Sequence, residues 1–278
     1  MHAPPADPVA AVGMLDALDQ AADVLGVTAE GAVRWAAAGH VVGRRVRCGR
    51  GTAWLAVRAV PLGEAGGILW HGNATAEKAF GDLAGVRPAL LNLYDRTDGG
   101  TAYRAELTAC PDEPRCSPTP APSPDLAPAD RWWATLRRTV ETVARAATDR
   151  VAVDRQAVDA VPRVLGLPAP HIERFAPAHA DLHWANLTAH GPHILGWEGW
   201  GLAPEGYDAA TLHACSLVNP GLAARVRVEF PVLDTESGRA AEVVAVARLI
   251  AAVAPDTDPA LSDALRARAR ELRARASR

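Results

Sequence analysis

Lysine is nearly absent from this chain: Lys78 is the only one among 29 Lys and Arg residues. Such a bias is expected of a GC-rich genome and says little about function. Basic excess is missing as well. The net charge of −3 excludes a protein built to neutralise nucleic-acid phosphates. It is compatible with a cationic partner. Aromatic residues are only 5 % of the chain while hydrophobic residues are 49 %, so the core must be built mainly from Ala, Val and Leu. Cysteine is sparse, and no pair among Cys48, Cys110, Cys116 and Cys215 has the C-x-x-C spacing of a zinc or redox site. Cys110 and Cys116 flank a proline-containing loop and can bridge in principle, but four reduced cysteines of a cytosolic protein are the expectation. No apolar run approaches the roughly 20 residues that cross a bilayer. The N-terminus lacks a basic region, and Asp16 and Asp19 break the apolar run that follows, so no signal peptide is expected. These absences point to a soluble, cytoplasmic protein with neither membrane nor nucleic acid as partner.

A chain of 278 residues can bury a sizeable core in one two-lobed domain or two small ones. Leu15, Leu18, Ala22 and Leu25 recur at helical spacing. Thr28 is a plausible N-cap for a second helix over Ala29–Ala38, with Gly39 after its end. From Val41 to Val60 the pattern predicts two strands across the turn Gly49-Arg50-Gly51. A short helix over 72–84 follows, then two strands within Pro88–Leu107 around Thr97-Asp98-Gly99-Gly100. Cys110 to Pro128 holds seven prolines, a composition that forms neither a helix nor an interior strand. This stretch reads as a connection at 110–128 between an N-terminal part, 1–109, and a helical part, 129–278. Asp130 can cap a long helix in which Trp133, Leu136, Val140 and Val143 repeat at helical spacing. Another helix is expected over 151–169, ending near Gly166. Four more are expected from Tyr207 to Leu217, Gly221 to Leu233, Ser237 to Val253 and Pro259 to Ala276. The arginines at 266, 268, 270, 273 and 275 read as a solvated face of the last helix.

The chemistry concentrates in His179-Ala180-Asp181-Leu182-His183-Trp184-Ala185-Asn186. An Asp and an Asn five positions apart behind a His form the H-x-D-x-x-x-x-N spacing of a phosphoryl-transfer loop. In such a loop Asp181 accepts the proton of the attacking hydroxyl and Asn186 holds a magnesium ion. The same residues contain H-x-D-x-H, with His190 and His193 nearby, so a transition-metal hydrolase is a second reading. Gly49-Arg50-Gly51 offers backbone N–H groups to a phosphate, though a plain hairpin accounts for it equally well.

The loop, with Trp197-Glu198-Gly199-Trp200-Gly201-Leu202-Ala203-Pro204 and Gly206-Tyr207-Asp208-Ala209-Ala210, resembles the aminoglycoside phosphotransferase family, and its actinobacterial branch in particular. The specific match covers residues 179–210; weaker agreement runs from Trp54 to the C-terminal helices. The resemblance implies an α+β, two-lobed protein-kinase-like fold, with a small β-sheet N-terminal lobe that binds nucleotide and a larger, mainly helical C-terminal lobe. It implies transfer of the γ-phosphate of ATP or GTP, with Mg2+, to a hydroxyl of a small molecule such as an aminoglycoside. On this likeness Asp181 is the base, Asn186 a metal ligand, His179 a buttress, and Asp208 a buried carboxylate that ties the loop through backbone N–H groups. The family carries an Asp for magnesium in the strand after the hairpin, and Gly196 stands at that place. Glu198, two residues on, shares a face with residue 196 if the segment is extended, and is then the substitute ligand. The phosphate-clamping cation of the small lobe falls on Arg58, although Ala56 sits nearer the expected position; Glu77 and Lys78 are weaker candidates. The competing reading is a pseudokinase-like binding protein without catalysis.

Overall fold

The computed structural model describes residues 4–36, 39–49, 51–83, 85–253 and 258–277. They form two compact units, Met1–Asp112 and Glu113–Arg278.

The first unit opens with helix α1 (Pro8–Leu25). Asp7 accepts a hydrogen bond from the Val9 N–H, Pro8 supplies the preset φ of a first turn, and Gly26 closes the helix at φ 64°. Strands β1 (Thr28–Ala29), β2 (Arg34–Ala36), β3 (Val41–Cys48), β4 (Gly51–Pro61), β5 (Leu90–Asp98) and β6 (Thr101–Ala109) build an antiparallel sheet in the order β1-β3-β4-β6-β5, with β2 also pairing β3. The helix expected over 29–38 is therefore corrected. Its described residues supply two short strands on β3, because Val33 and Trp35 gain more by lying against the sheet than by a helix turn interrupted at Gly31. Ala37 and Ala38 lie outside the described residues, as does Arg50 of the glycine turn. The turn after β5 needs positive φ twice, and Gly99 (53°) and Gly100 (86°) provide it.

One face of this sheet is apolar. Ala53, Leu55 and Val57 alternate inward along β4 and meet Met14, Leu18 and Ala21 of α1, with Tyr103, Ala105 and Leu107 of β6 beside them. The other face is polar at its centre. Helix α2 (Ile68–Ala79) starts four residues earlier than the sequence suggests and places Asn73 2.5 Å from the buried Glu106 carboxylate. Arg104, also buried, is clamped by Asp95, the Trp70 carbonyl and the Trp70 ring.

The second unit is mainly helical: α3 (Asp130–Val143), α4 (Arg155–Asp159), α5 (Val161–Leu165), α6 (Tyr207–Ser216), α7 (Pro220–Glu229), α8 (Glu236–Ala252) and α9 (Pro259–Ala276), with the strand pair β7 (Phe175–Ala178) and β8 (Gly201–Pro204). Asp130 does not cap α3. Ala129 holds that position, and the Asp130 carboxylate pairs with Arg225 at 2.7 Å instead. The helix expected over 151–169 is two short ones, since Pro162 cannot donate to a continuous ladder and instead sits in the first turn of α5. Every residue of α6 is buried, so it has no solvent stripe and runs through the centre of the unit. Residues 113–128 lie in this unit, where Cys116 donates to the Leu187 carbonyl (2.7 Å) and Pro114 accepts from Ala189 (2.9 Å). None of the four cysteines forms a disulfide. Among the described residues, no helix is long and apolar enough to cross a membrane.

Candidate active site

β7 delivers the chain to His179, after which the backbone turns sharply. Ala180 has φ 67°, and it is the one described non-glycine residue in left-handed backbone. This conformation is held from below by α6. The Asp208 carboxylate in its first turn accepts the His179 N–H at 2.7 Å and the Ala180 N–H at 2.8 Å. Asp208 is buried, which pushes its pKa up to about 6 against the opposing pull of those two N–H groups. His179 is buried as well. Desolvation brings its pKa down to about 4, so the ring is neutral at ordinary pH, and its Nδ1 accepts from the Asp181 N–H at 3.3 Å. The ring meets Trp197 edge to face at 4.9 Å between centroids. Its Nε2 makes no well-formed hydrogen bond, although the Leu195 and Gly196 carbonyls are close enough to favour the protonated ring.

Asp181 and Asn186 come together across a 3-10 turn, Trp184–Asn186. The Asn186 Nδ2 donates to the Asp181 carboxylate at 2.8 Å and to its backbone carbonyl at 3.0 Å, which leaves Oδ1 as the free end of the amide. His183 joins them: its Nε2 is 3.4 Å from Asp181 Oδ1 and 3.4 Å from the Asn186 Nδ2. The Asp181 side chain keeps 61 % of its surface open to solvent, although atoms crowd its inner side. That crowding raises its pKa. The charge and hydrogen bond of His183, the His179 ring and the Asn186 amide outweigh it and hold the carboxyl below its ordinary value. The group is an ionised acceptor at neutral pH.

Gly196 faces this pair. A Cβ on it would stand 3.4 Å from the Asn186 Nδ2 and 3.6 Å from its Oδ1. The residue is not in a strand, however: it has φ 78° and ψ 60° and leads into a 3-10 turn, Trp197–Gly199. The extended geometry that would give Glu198 a face in common with residue 196 is therefore absent. Glu198 is held instead through its backbone carbonyl, which accepts from Arg150 at 3.1 Å while the same guanidinium donates to the Trp200 carbonyl and lies over the Trp200 ring. Nothing in the sequence around Arg150 signals this role. The loop's underside is fixed by two tryptophans. Trp184 donates to Ser216 at 2.9 Å and stacks on Trp132, which donates to the Thr188 carbonyl.

Magnesium prefers oxygen donors, commonly one or two carboxylates together with substrate phosphates. Here the Asn186 Oδ1 is free, residue 196 offers no side-chain oxygen, and no group of three His, Cys, Asp or Glu side chains among the described residues can hold a metal. The residues present do not by themselves fit a resident magnesium ion. The same observation removes support from the H-x-D-x-H hydrolase, since His179 is turned into the interior. In the first unit, Arg58 lies on β4 opposite Val41 and Arg104, partly exposed and with no ion pair among the described residues. Ala56 lies opposite Glu106. Glu77 is taken up by Arg87 and the Leu90 N–H.

No family model matches the chain, and no curated protein matches it. Solved structures do. Aminoglycoside phosphotransferase APH(4)-Ia is 10 % identical with a TM-score of 0.61, over 94 % of this chain and 98 % of that one. A thermostable mutant of it, in ternary complex with AMP-PNP and hygromycin B, is 13 % identical with a TM-score of 0.57, over 92 % and 97 %. The fold is the two-lobed, kinase-like α+β fold of these proteins.

Proposed function

We propose that the chain is a small-molecule phosphotransferase that moves the γ-phosphate of ATP or GTP to a substrate hydroxyl. One observation carries this reading: an ionised, solvent-open Asp181 carboxylate locked 2.8 Å from Asn186 on a loop of left-handed backbone. The fold likeness supports it, as does the complex of a similar protein with AMP-PNP and hygromycin B. In the reaction Asp181 receives the hydroxyl proton as the substrate oxygen bonds to the γ-phosphorus. The bond to the β-phosphate oxygen breaks, and the nucleoside diphosphate leaves with its electron pair. Such transfers have a loose transition state, so a carboxylate held in position matters more than a strongly basic one. Asn186 fixes the orientation of that carboxylate, and its Oδ1 is the oxygen left for a cation that a nucleotide brings. Residues 1–109 would carry the nucleotide with Arg58 near its phosphates, 110–128 the connection, and 129–278 the loop and acceptor surface. The cytoplasm is the expected compartment, and the negative net charge suits cationic acceptors of the aminoglycoside kind.

A second reading, a pseudokinase-like binding protein, is favoured by Gly196 and by the polar face of the first unit. There Arg58 faces a like charge at Arg104, and the carboxylate nearest Ala56 belongs to Glu106, already bonded to Asn73. Phosphate transfer to a panel of hydroxylated acceptors, followed with ATP and with GTP, separates the two. For a phosphotransferase, Asp181→Asn lowers turnover by about 10²–10⁴ while nucleotide binding stays within about twofold. Turnover that survives the substitution places the chemistry elsewhere. Nucleotide binding without any turnover in the parent chain establishes the pseudokinase.

A further inference from the structure

Away from the Asp181 loop, the helical unit holds a cavity of about 460 Å³ whose wall is rich in arginine. Arg227 of α7, Arg239 of α8, and Arg268 and Arg275 of α9 line it, with His213 and Asp234. Their charges are not evenly committed. Arg268 is buried and held bidentately by Glu242 at 3.0 and 2.9 Å, with Glu271 at 2.6 Å on its remaining nitrogen. The expected solvated face of α9 is thus corrected at this position: Arg268 points inward because Glu242, buried on α8, draws it there. Arg227 pairs with Asp234 at 2.8 Å and reaches Glu242 at 3.8 Å. Among the described residues Arg239, which is exposed, donates to the Asp234 backbone carbonyl and to no carboxylate. Arg275 has neither an ion pair nor a side-chain hydrogen bond among the described residues.

Helix packing explains Arg268 and Glu242. It does not account for two further guanidinium groups, Arg239 and Arg275, that line the same cavity with no carboxylate partner among the described residues. Arg268, Leu272 and Arg275 share one side of α9 by their i, i+4, i+7 spacing, so Arg275 faces the cavity as a consequence of the helix that also seats Arg268. Asp234 and Glu242 answer Arg227 and Arg268 on this concave wall, whereas the exposed Arg239 and Arg275 keep their donors open to solvent, and the planar fork of arginine suits phosphate oxygens. The volume exceeds what phosphate alone fills and falls in the range of small-metabolite sites.

We propose that this cavity is a binding site for a small phosphorylated anion, held by Arg239 and Arg275 and braced by Arg268. It is separate from the transfer site, whose proposed acceptors are cationic. The site stands whether or not the chain catalyses transfer.

The test is calorimetric titration of the full chain with inorganic pyrophosphate and with glycerol 3-phosphate, and with sodium chloride as ionic-strength control. The parent should bind at least one of the two phosphate compounds saturably. The double variant Arg239→Gln/Arg275→Gln should weaken that binding by at least about tenfold, the loss expected for charge-assisted hydrogen bonds. The control Arg266→Gln/Arg270→Gln, at positions of the same helix that do not line the cavity, should leave it within about twofold. Tighter binding of glycerol 3-phosphate than of pyrophosphate identifies an organic monoester as the ligand class; the reverse order identifies a pyrophosphate group. Circular dichroism and thermal melting check that both variants fold. Should the first double variant fail to fold, Arg275→Gln alone, in the last turns of α9, carries the same expectation at about threefold or more. The proposal is overturned by absence of saturable binding to the parent, by equal losses in the two double variants, or by binding unchanged without Arg239 and Arg275.

Discussion

Gly196 sets what the Asn186 amide meets across the loop. Its left-handed φ of 78° is easy for glycine and tolerable for Asp, which is enriched in that region among non-glycine residues. A carboxylate there would project toward Asn186, since the Cβ already falls 3.4 Å from its amide nitrogen. Gly196→Asp should cost about 1–2 kcal/mol of stability from the backbone alone and should strengthen magnesium-dependent nucleotide binding by about tenfold. Gly196→Ala carries the same backbone strain without the oxygens, and is expected to lose stability and gain no magnesium dependence. Thermal-shift titrations with ATP, with and without magnesium, read both variants. Equal magnesium dependence in parent and Gly196→Asp would show that another oxygen already serves or that nucleotide does not bind.

At the scale of elements, the first unit depends on the face that α1 lays on the sheet. Leu18 is fully buried at its centre among Val42, Leu55 and Val57, so Leu18→Ala removes the transfer energy of the side chain and leaves a cavity. A loss of about 2–5 kcal/mol is expected in denaturant unfolding; a loss below about 1 kcal/mol would mean that α1 is not seated on the sheet. These pairings were readable from alternation along Val41–Val60 and from the helical repeat of Leu15, Leu18 and Leu25. The segment 29–38 was not, since alanines favour a helix when judged locally and only the open edge of β3 offers Val33 and Trp35 a better place. In the second unit, the fully buried α6 gave no periodic signal of its own. Its start was legible through Gly206, whose φ of 87° opens the helix, and through the Tyr207-Asp208 pair that follows.

Across the whole molecule, two buried groups pull stability in opposite directions between about pH 4 and pH 6.5. His179 has its pKa brought down from 6.5 to about 4, so its contribution is present above pH 6.5 and is lost as pH falls through about 4. Asp208 has its pKa pushed up from 3.8 to about 6, so its contribution is complete below pH 3.8 and is lost as pH rises through about 6. Each amounts to about 3 kcal/mol, and over pH 4–6 they largely cancel. Asp208→Asn should therefore make the fold lose stability on acidification from pH 6.5 to 4, whereas His179→Asn should make it gain stability over the same range. Urea unfolding at a series of pH values measures both slopes; parallel slopes in the two variants would refute the compensation.

The sequence by itself determined the periodic helices of the second unit, the two hairpins of the first, and the stretch in which Asp181, Asn186 and Asp208 lie. These are local properties: apolar spacing, glycine turns and, for Asp181 and Asn186, a motif that sits within one short loop. Only the tertiary structure decided the rest. It brought the Asp208 carboxylate onto two N–H groups 29 and 28 residues away, set His183 against both Asp181 and Asn186, and bent the chain at Gly196 so that Glu198 lost the extended geometry assigned to it. It also turned Arg268 inward from an arginine row that reads as uniformly exposed. Burial and charge partners are set by elements distant in sequence, and no spacing rule along one helix reveals which of its arginines a buried carboxylate will claim.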